Sequence, residues 1–349
     1  MRMQLHIGNK IIGEGRPCFI IGEAGVNHNG SLKLAQKLVD VAKRAGVDAV
    51  KFQTFKSEHL VTAQGEMAEY QKKNIGKTES QLAMLKKLEL DYEDFRKLKR
   101  YCDKKKIMFL STPHTDDAVD FLNSLVPVFK IGSGDLTNIP LLEKIAKRRK
   151  PMIVSTGMAT LKEVKDAVHA IRKAGNRKII LLHCTTNYPC PFQEVNLKAM
   201  VTLEKKFGLP TGYSDHTAGI VVPVMAVTLG AKVIEKHFTL DKDLPGPDHK
   251  ASLEPHELKE MVGMVRDAEK ALGNGVKKPT ASEERIKKVA RKSIIAKVDM
   301  VSGTKISPRM LIVKRPGTGI QPKAMRQVIG KKAKRIIRKD TVLSWADLQ

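Results

Sequence analysis

Eight short apolar runs, each followed by a stretch of helical period, constrain this chain more than any other feature. They occupy residues 18–22, 49–52, 108–111, 128–131, 152–155, 179–183, 211–214 and 232–237. Strands this continuously apolar are buried on both faces, as in a parallel sheet covered by helices. Eight of them predict a closed (β/α)8 barrel and not an open doubly wound sheet. In the first helical stretch Asp40, Lys43 and Arg44 fall opposite Leu34, Leu38 and Val41. Thr160-Leu161-Lys162-Glu163 is a capping box that opens the fifth. A hairpin over residues 3–13, turning at Gly8-Asn9, precedes the first strand. Residues 54–90 form a long polar insertion, read as a lid or an interface element. A helix over 255–272, stopped by Gly273-Asn274-Gly275, ends the barrel. The expected division is a barrel over 1–275, a linker over 276–284 and a compact module over 285–349. That module is small for an independent core and is expected to lean on the barrel or on another subunit.

Residues at the carboxyl ends of barrel strands face one mouth. Here that set is Glu23, Lys51 with Gln53, Thr112 and Lys130, then Ser155, Thr186 with Tyr188, Ser214 with His216, and His237. His216 and His237 close neighbouring strands, so both imidazoles can face a single metal ion. Either one alone reads more often as a structural histidine. Two imidazoles leave four octahedral positions open, and ligand type alone leaves zinc or iron open as well. Lysines inside apolar strands are costly to bury unless paired. Lys51 and Lys130 therefore either pair with carboxylates or together seat a doubly charged phosphate. Gly132-Ser133-Gly134-Asp135 follows Lys130 directly. Its glycines let backbone N–H groups and the Ser133 hydroxyl wrap phosphate oxygens.

The formal net charge is +26, and residues 277–349 hold 20 Lys and Arg against 5 Asp and Glu. Such asymmetry fits a nucleic-acid surface, a basic cover over an anionic substrate, or a solvated lysine face. Trp345 is the only aromatic residue of that tail, which leaves little for stacking on bases. A nucleic-acid-binding protein on a non-catalytic barrel is therefore the less favoured class. The longest apolar segment, around 220–229, is too short to span a bilayer. The first residues contain no apolar stretch of signal-peptide length. The four cysteines fall in no CxxC pair and read as reduced thiols. A cytoplasmic protein without a membrane partner is expected.

Several of these segments resemble the sialic acid synthase family. They include Glu23-Ala24-Gly25-Val26-Asn27-His28-Asn29-Gly30, Lys51-Phe52-Gln53-Thr54, Lys130-Ile131-Gly132-Ser133-Gly134-Asp135 and Ser155-Thr156-Gly157-Met158. His183-Cys184-Thr185, Tyr213-Ser214-Asp215-His216-Thr217, Glu235-Lys236-His237-Phe238-Thr239 and Pro245-Gly246-Pro247-Asp248-His249 continue the match in order. The resemblance runs from about residue 15 to the end. Lys314-Arg315-Pro316-Gly317-Thr318-Gly319 is similar to the antifreeze-like (SAF) domain that closes this family.

The resemblance implies a TIM barrel with a C-terminal SAF domain and an N-acetylneuraminate synthase activity. Phosphoenolpyruvate would condense with N-acetylmannosamine, an N-acetylated hexosamine, to give a nine-carbon keto acid and phosphate through carbon–oxygen cleavage. It implies a divalent metal on His216 and His237, with manganese expected and magnesium or cobalt as alternatives. Lys51, Lys130, Ser133, Ser155 and Ser214 match positions that hold phosphoenolpyruvate. Gln53, Tyr188 and Asp248 match positions that face the sugar, and Thr112 joins the substrate-binding set. Thr186 stands where a family member has asparagine, and Asp135 where some have glutamate. Glu23 or Asp135 would orient the attacking water, although each also reads as a partner of the lysines. Arg315 would reach the sugar in the partner subunit of a homodimer with exchanged C-terminal domains. A close alternative is a deoxy, diacetamido sugar giving legionaminic or pseudaminic acid, and another is a 6-phosphorylated sugar.

Overall fold

The computed structural model describes residues 4–76 and 79–349. The chain divides into two units, Met1–Gly273 and Asn274–Gln349. In the first unit the eight expected strands are β1 (Phe19–Gly25), β2 (Ala49–Thr54), β3 (Met108–Pro113), β4 (Phe129–Ile131), β5 (Met152–Ser155), β6 (Ile179–His183), β7 (Thr211–Asp215) and β8 (Val233–His237). They pair in parallel in the order β3-β2-β1-β8-β7-β6-β5-β4. β3 and β4 lie side by side at the two ends of that order and complete the round. The helices that cover it are α1 (Leu32–Ala45), α2 (Tyr92–Lys105), α3 (Asp116–Leu122), α4 (Ile139–Ala146), α5 (Leu161–Lys173), α6 (Lys198–Phe207), α7 (Val221–Thr228) and α8 (Pro255–Leu272). At the start of α5 Glu163 N–H donates to Thr160 Oγ1, while the Thr160 N–H donates to the Glu163 carboxylate. That is the reciprocal cap its sequence requires.

Alternation along each strand sorts the chemistry. In β1 and β2, Ile20, Val50 and Phe52 face the helices, while Phe19, Ile21 and Ala49 fill the barrel interior. The same phase sends Glu23, Lys51 and Gln53 inward, because successive side chains of a strand point to opposite faces. The hairpin lies over Leu5–Ile7 and Lys10–Ile12, and Met3 of the expected hairpin falls outside the described residues. Its Leu5, Ile7 and Ile12 join the interior cluster with Leu110, Ile153 and Val233 and close the barrel floor.

The insertion after β2 carries three short helices, Ser57–Leu60, Glu69–Ile75 and Gln81–Leu88. It is less polar than its composition suggests. Phe55, Met67, Met84 and Leu88 form a separate apolar cluster with Val26 from the loop after β1.

The second unit holds a core of its own, with Ile294, Ala296, Ile306, Val328, Ile337 and Leu343 among its buried residues. It contains an antiparallel pair, β9 (Ser293–Ala296) and β10 (Leu311–Lys314). A helix over Ala281–Ala290, capped by Thr280, takes up the last four residues of the stretch expected as linker and runs past residue 285. No helix among the described residues is long and apolar enough to cross a membrane.

Candidate active site

Strand register assembles the site. Glu235 stands opposite Ser214, His237 opposite Glu23, and Glu23 opposite Lys51. Their side chains meet at the carboxyl ends of the strands, where a cleft opens. On its floor Lys51 Nζ lies 2.7 Å from Glu23 Oε2 and 3.6 Å from Glu235 Oε2. It also donates to Thr112 Oγ1 at 3.0 Å. Lys130 Nζ lies 3.4 Å from Glu235 Oε1 and donates to Ser155 Oγ at 2.7 Å. Both lysines are 3 % exposed. Both lysines are thus paired with carboxylates, as the first of the two readings expects, and both also line the cleft.

The charges are set by burial and by each other. Burial works against the Glu235 carboxylate, but Lys130 and Lys51 outweigh it and hold the group at about 2. Burial raises the Glu23 carboxyl above its ordinary range despite Lys51. Burial lowers the Lys130 ammonium. For Lys51 burial acts the same way, yet Glu23 and Glu235 more than offset it and the group ends above its usual value.

The two histidines share one wall. Their ring centroids are 5.6 Å apart. Burial pushes His216 down to about 4, and burial together with His216 pushes His237 well below its ordinary value. Neutral imidazoles with free lone pairs are what a divalent cation requires. His216 Nδ1 lies 2.6 Å from the Thr185 carbonyl oxygen. That contact fixes the tautomer and leaves Nε2 free as a donor atom, the arrangement found in metal-bound histidines. His237 Nδ1 is buried without a hydrogen-bond partner, with Asp248 Oδ2 4.0 Å away. Among the described residues no group of three or more His, Cys, Asp or Glu side chains forms a complete metal cage. The pair thus fits an ion that keeps most of its positions for water and substrate. Burial and the nearby Glu23 raise the Asp248 carboxyl to about 7.

Ser133, Thr186 and Gly157 interlock beside this floor. The Gly157 N–H donates to Ser133 Oγ at 3.0 Å. A Cβ at Gly157 would stand 2.7 Å from Ser133 Oγ and collide with Thr186 Oγ1. Only glycine allows that approach. Gln53 Nε2 donates to Glu23 Oε1 at 3.2 Å. Tyr188 lies over the His216 ring, 4.1 Å between centroids, and Tyr70 from the insertion lies against Tyr188 at 5.0 Å.

Two expected residues lie elsewhere. Asp135, on a short 3-10 turn after β4, is not part of the cleft lining and sits 3.2 Å from His114 Nδ1. Arg315 is in the second unit, exposed on the loop after β10. The other expected residues all line the cleft. Several lining residues were not anticipated: Glu235, His114, Cys184, and Tyr70, Met84 and Leu85 of the insertion. Glu235 has a sequence signal, since it lies two positions before His237 in one strand and so shares its face. Tyr70 and Met84 have none, because short helices in an insertion carry too few turns to show a face.

Residues 38–277 match the model of the NeuB family. The chain belongs to that family. Residues 291–349 match the SAF domain. The N,N'-diacetyllegionaminic acid synthase of Legionella pneumophila is 49% identical over 347 residues, covering 98% of this chain and 98% of its own. The human N-acetylneuraminate-9-phosphate synthase is 39% identical, over 95% of this chain and 93% of its own. The crystal structure of an N-acetylneuraminic acid synthetase from Leptospira borgpetersenii in complex with citrate superposes with a TM-score of 0.72. It is 37% identical and covers 82% of this chain and 95% of that one. The NeuB match spans β2 to β8, and the SAF match falls within the second unit.

Proposed function

We propose that this chain condenses phosphoenolpyruvate with a deoxy, diacetamido hexose to give N,N'-diacetyllegionaminic acid and phosphate. The observation that carries this reading is the identity across nearly the whole chain. It is 49% to the Legionella pneumophila diacetyllegionaminic acid synthase against 39% to the human N-acetylneuraminate-9-phosphate synthase. The monoacetamido sugar expected from the motifs alone takes second place.

The floor of the cleft supports the chemistry. Lys51 and Lys130 hold the anionic groups of phosphoenolpyruvate, with Ser155, Ser133 and Ser214 as hydroxyl partners. The carbon 2–carbon 3 π pair of phosphoenolpyruvate forms the new bond from carbon 3 to the aldehyde carbon of the open-chain sugar. The carbonyl π pair passes to the aldehyde oxygen, which becomes a hydroxyl by taking up the proton released on water addition, and positive charge is left at carbon 2. Water adds there as its proton passes to a carboxylate, and the tetrahedral centre collapses with loss of phosphate and cleavage of the carbon–oxygen bond. Glu23, which lines the cleft and whose carboxyl burial makes more basic, is the base in this reading. Asp135, held by His114 outside the lining, is not. Fixed charges at the floor stabilise the developing charge without reorganising. His216 and His237 would hold a divalent ion, manganese in this proposal, and such an ion supplies Lewis acidity toward a carbonyl oxygen. Gln53, Tyr188 and Asp248 orient the sugar. A cytoplasmic homodimer, with Arg315 of one chain serving the other, completes the proposal.

The test is a panel of hexosamines incubated with manganese and phosphoenolpyruvate labelled with heavy oxygen at the bridging position. Mass spectrometry should show the diacetamido sugar turned over in preference to N-acetylmannosamine, with the label in inorganic phosphate. Label retained in the sugar acid would remove the role given to Glu23. Preference for N-acetylmannosamine would remove the sugar assignment.

A further inference from the structure

One titratable side chain on the cleft lining takes no part in the chemistry above. His114 directly follows β3 and lines the cleft together with Thr112, Gly132, Ser133 and Gly134. Its backbone N–H donates to the Thr54 carbonyl at 3.1 Å, and its ring meets Phe55 edge-on with 6.4 Å between centroids. A Cβ at Gly132 would stand 3.2 Å from His114 Cε1, so the imidazole lies against the loop that follows Lys130. Its Nδ1 is 3.2 Å from Asp135 Oδ2. Asp135 is itself fixed in its turn: its N–H donates to the Gly132 carbonyl at 3.1 Å, and its Oδ1 accepts from Asn138 Nδ2 at 3.4 Å. A carboxylate behind one ring nitrogen sets the tautomer and orientation of an imidazole and stabilises its charged form. With Nδ1 engaged by Asp135, Nε2 is the nitrogen left for the cleft.

We infer that His114, oriented by Asp135, is a further catalytic residue that gives the departing phosphate its proton. The inference rests on the proposed condensation and not on which sugar is used. The Gly132-Ser133-Gly134 loop, whose N–H groups and hydroxyl suit phosphate oxygens, marks the phosphate end of the floor, and the imidazole lies against its first residue. Glu235 also faces that end, but Lys130 and Lys51 keep it ionised, so it has no proton to give. The balance of the collapse calls for such a donor. As the carbon–oxygen bond breaks, its electron pair stays on the bridging oxygen, which takes the proton from Nε2 of the His114 imidazolium. A lone pair of the carbon 2 hydroxyl forms the ketone. The proton of that hydroxyl passes to Glu23, which has already handed the first water proton to the aldehyde oxygen. Exchange with solvent then takes this proton from Glu23 and returns one to His114. Asp135 acts only through the imidazole and is a positioning residue.

The experiment uses the full chain with manganese, phosphoenolpyruvate and whichever hexosamine the unaltered protein turns over. His114→Gln should lower kcat by about a hundredfold, the scale of one general acid, while the KM for phosphoenolpyruvate stays within about threefold because the lysine floor is untouched. His114→Ala should recover about tenfold in kcat when free imidazole is supplied to the space left in the cleft, and imidazole should do nothing for the unaltered protein. Asp135→Asn should lower kcat by about tenfold. Combined with His114→Gln it should add less than about twofold, since both act on one proton. Circular dichroism confirms that each variant is folded. A raised KM for phosphoenolpyruvate at unchanged kcat in His114→Gln would make the ring a binding contact and overturn the inference. A loss that imidazole does not relieve, and that adds in full to that of Asp135→Asn, overturns it as well. Rapid turnover by His114→Gln overturns it while the condensation stands, whereas no turnover of any hexosamine by the unaltered protein overturns both.

Discussion

Glu235 is the residue on which the floor of the cleft depends. Its carboxylate lies 3.6 Å from Lys51 and 3.4 Å from Lys130 and accepts the Ser214 hydroxyl at 2.9 Å. A buried charge that loses its partner is strongly destabilising. Glu235→Gln should lower the unfolding free energy by about 3–5 kcal/mol, read from the urea midpoint at unchanged slope. A loss below about 1 kcal/mol would mean that Glu23 alone satisfies both ammonium groups, at the level of an exposed ion pair. The pH dependence has a definite sign. The Glu235 carboxyl is depressed from 4.5 to about 2, so its contribution is complete above pH 4.5 and is lost as pH falls toward 2. The lysines are legible in the sequence because a charge interrupts an apolar strand. Their shared partner is legible only through alternation, counted back two positions from His237. That Asp135 pairs with His114 and is not among the lining residues is not legible at all, since it depends on which way a short turn carries the side chain.

At the scale of elements, the barrel strands can be read because most are short, largely apolar runs alternating with stretches of helical period, and six of the eight are longer or shorter than expected at an end. Such ends shift where ladder hydrogen bonds outlast the apolar pattern, as in β2, which runs on through Gln53 and Thr54 to pair with β3. The insertion resists reading because its cluster gathers Val26, Phe55, Met67 and the Met84–Leu88 pair from separate segments, and one i, i+4 pair on a short helix is too little to show a period. The amino-terminal hairpin is the opposite case. Its Ile7 and Ile12 are fully buried and close the barrel floor. Ile7→Ala should therefore cost about 2–5 kcal/mol, as for a core truncation and unlike a surface hairpin. Thermal unfolding followed by circular dichroism measures it, and a cost under about 0.5 kcal/mol, the surface range, would make the hairpin an appendage.

On the scale of the whole molecule, the basic second unit folds around its own core and carries Arg315 on an exposed loop. If that arginine serves the other chain of a dimer, Arg315→Ala and His237→Ala should each be inactive yet complement one another. After dissociation and reassociation about one quarter of wild-type activity should return, because half of the dimers are mixed and each has one intact site. Recovery of nothing would place the arginine's action within its own chain or outside the reaction. The depth of the cleft also bears on time. Lys51 and Lys130 lie nearly sealed at its floor, while Tyr70 of the insertion rests on Tyr188, which rests on His216. In the proposed reaction a sugar seated under those rings would block the way down, so the two reactants would arrive in a fixed sequence, phosphoenolpyruvate first. An inert sugar analogue should accordingly inhibit competitively against sugar and uncompetitively against phosphoenolpyruvate. A noncompetitive pattern against phosphoenolpyruvate would mean that the floor stays reachable with the sugar in place.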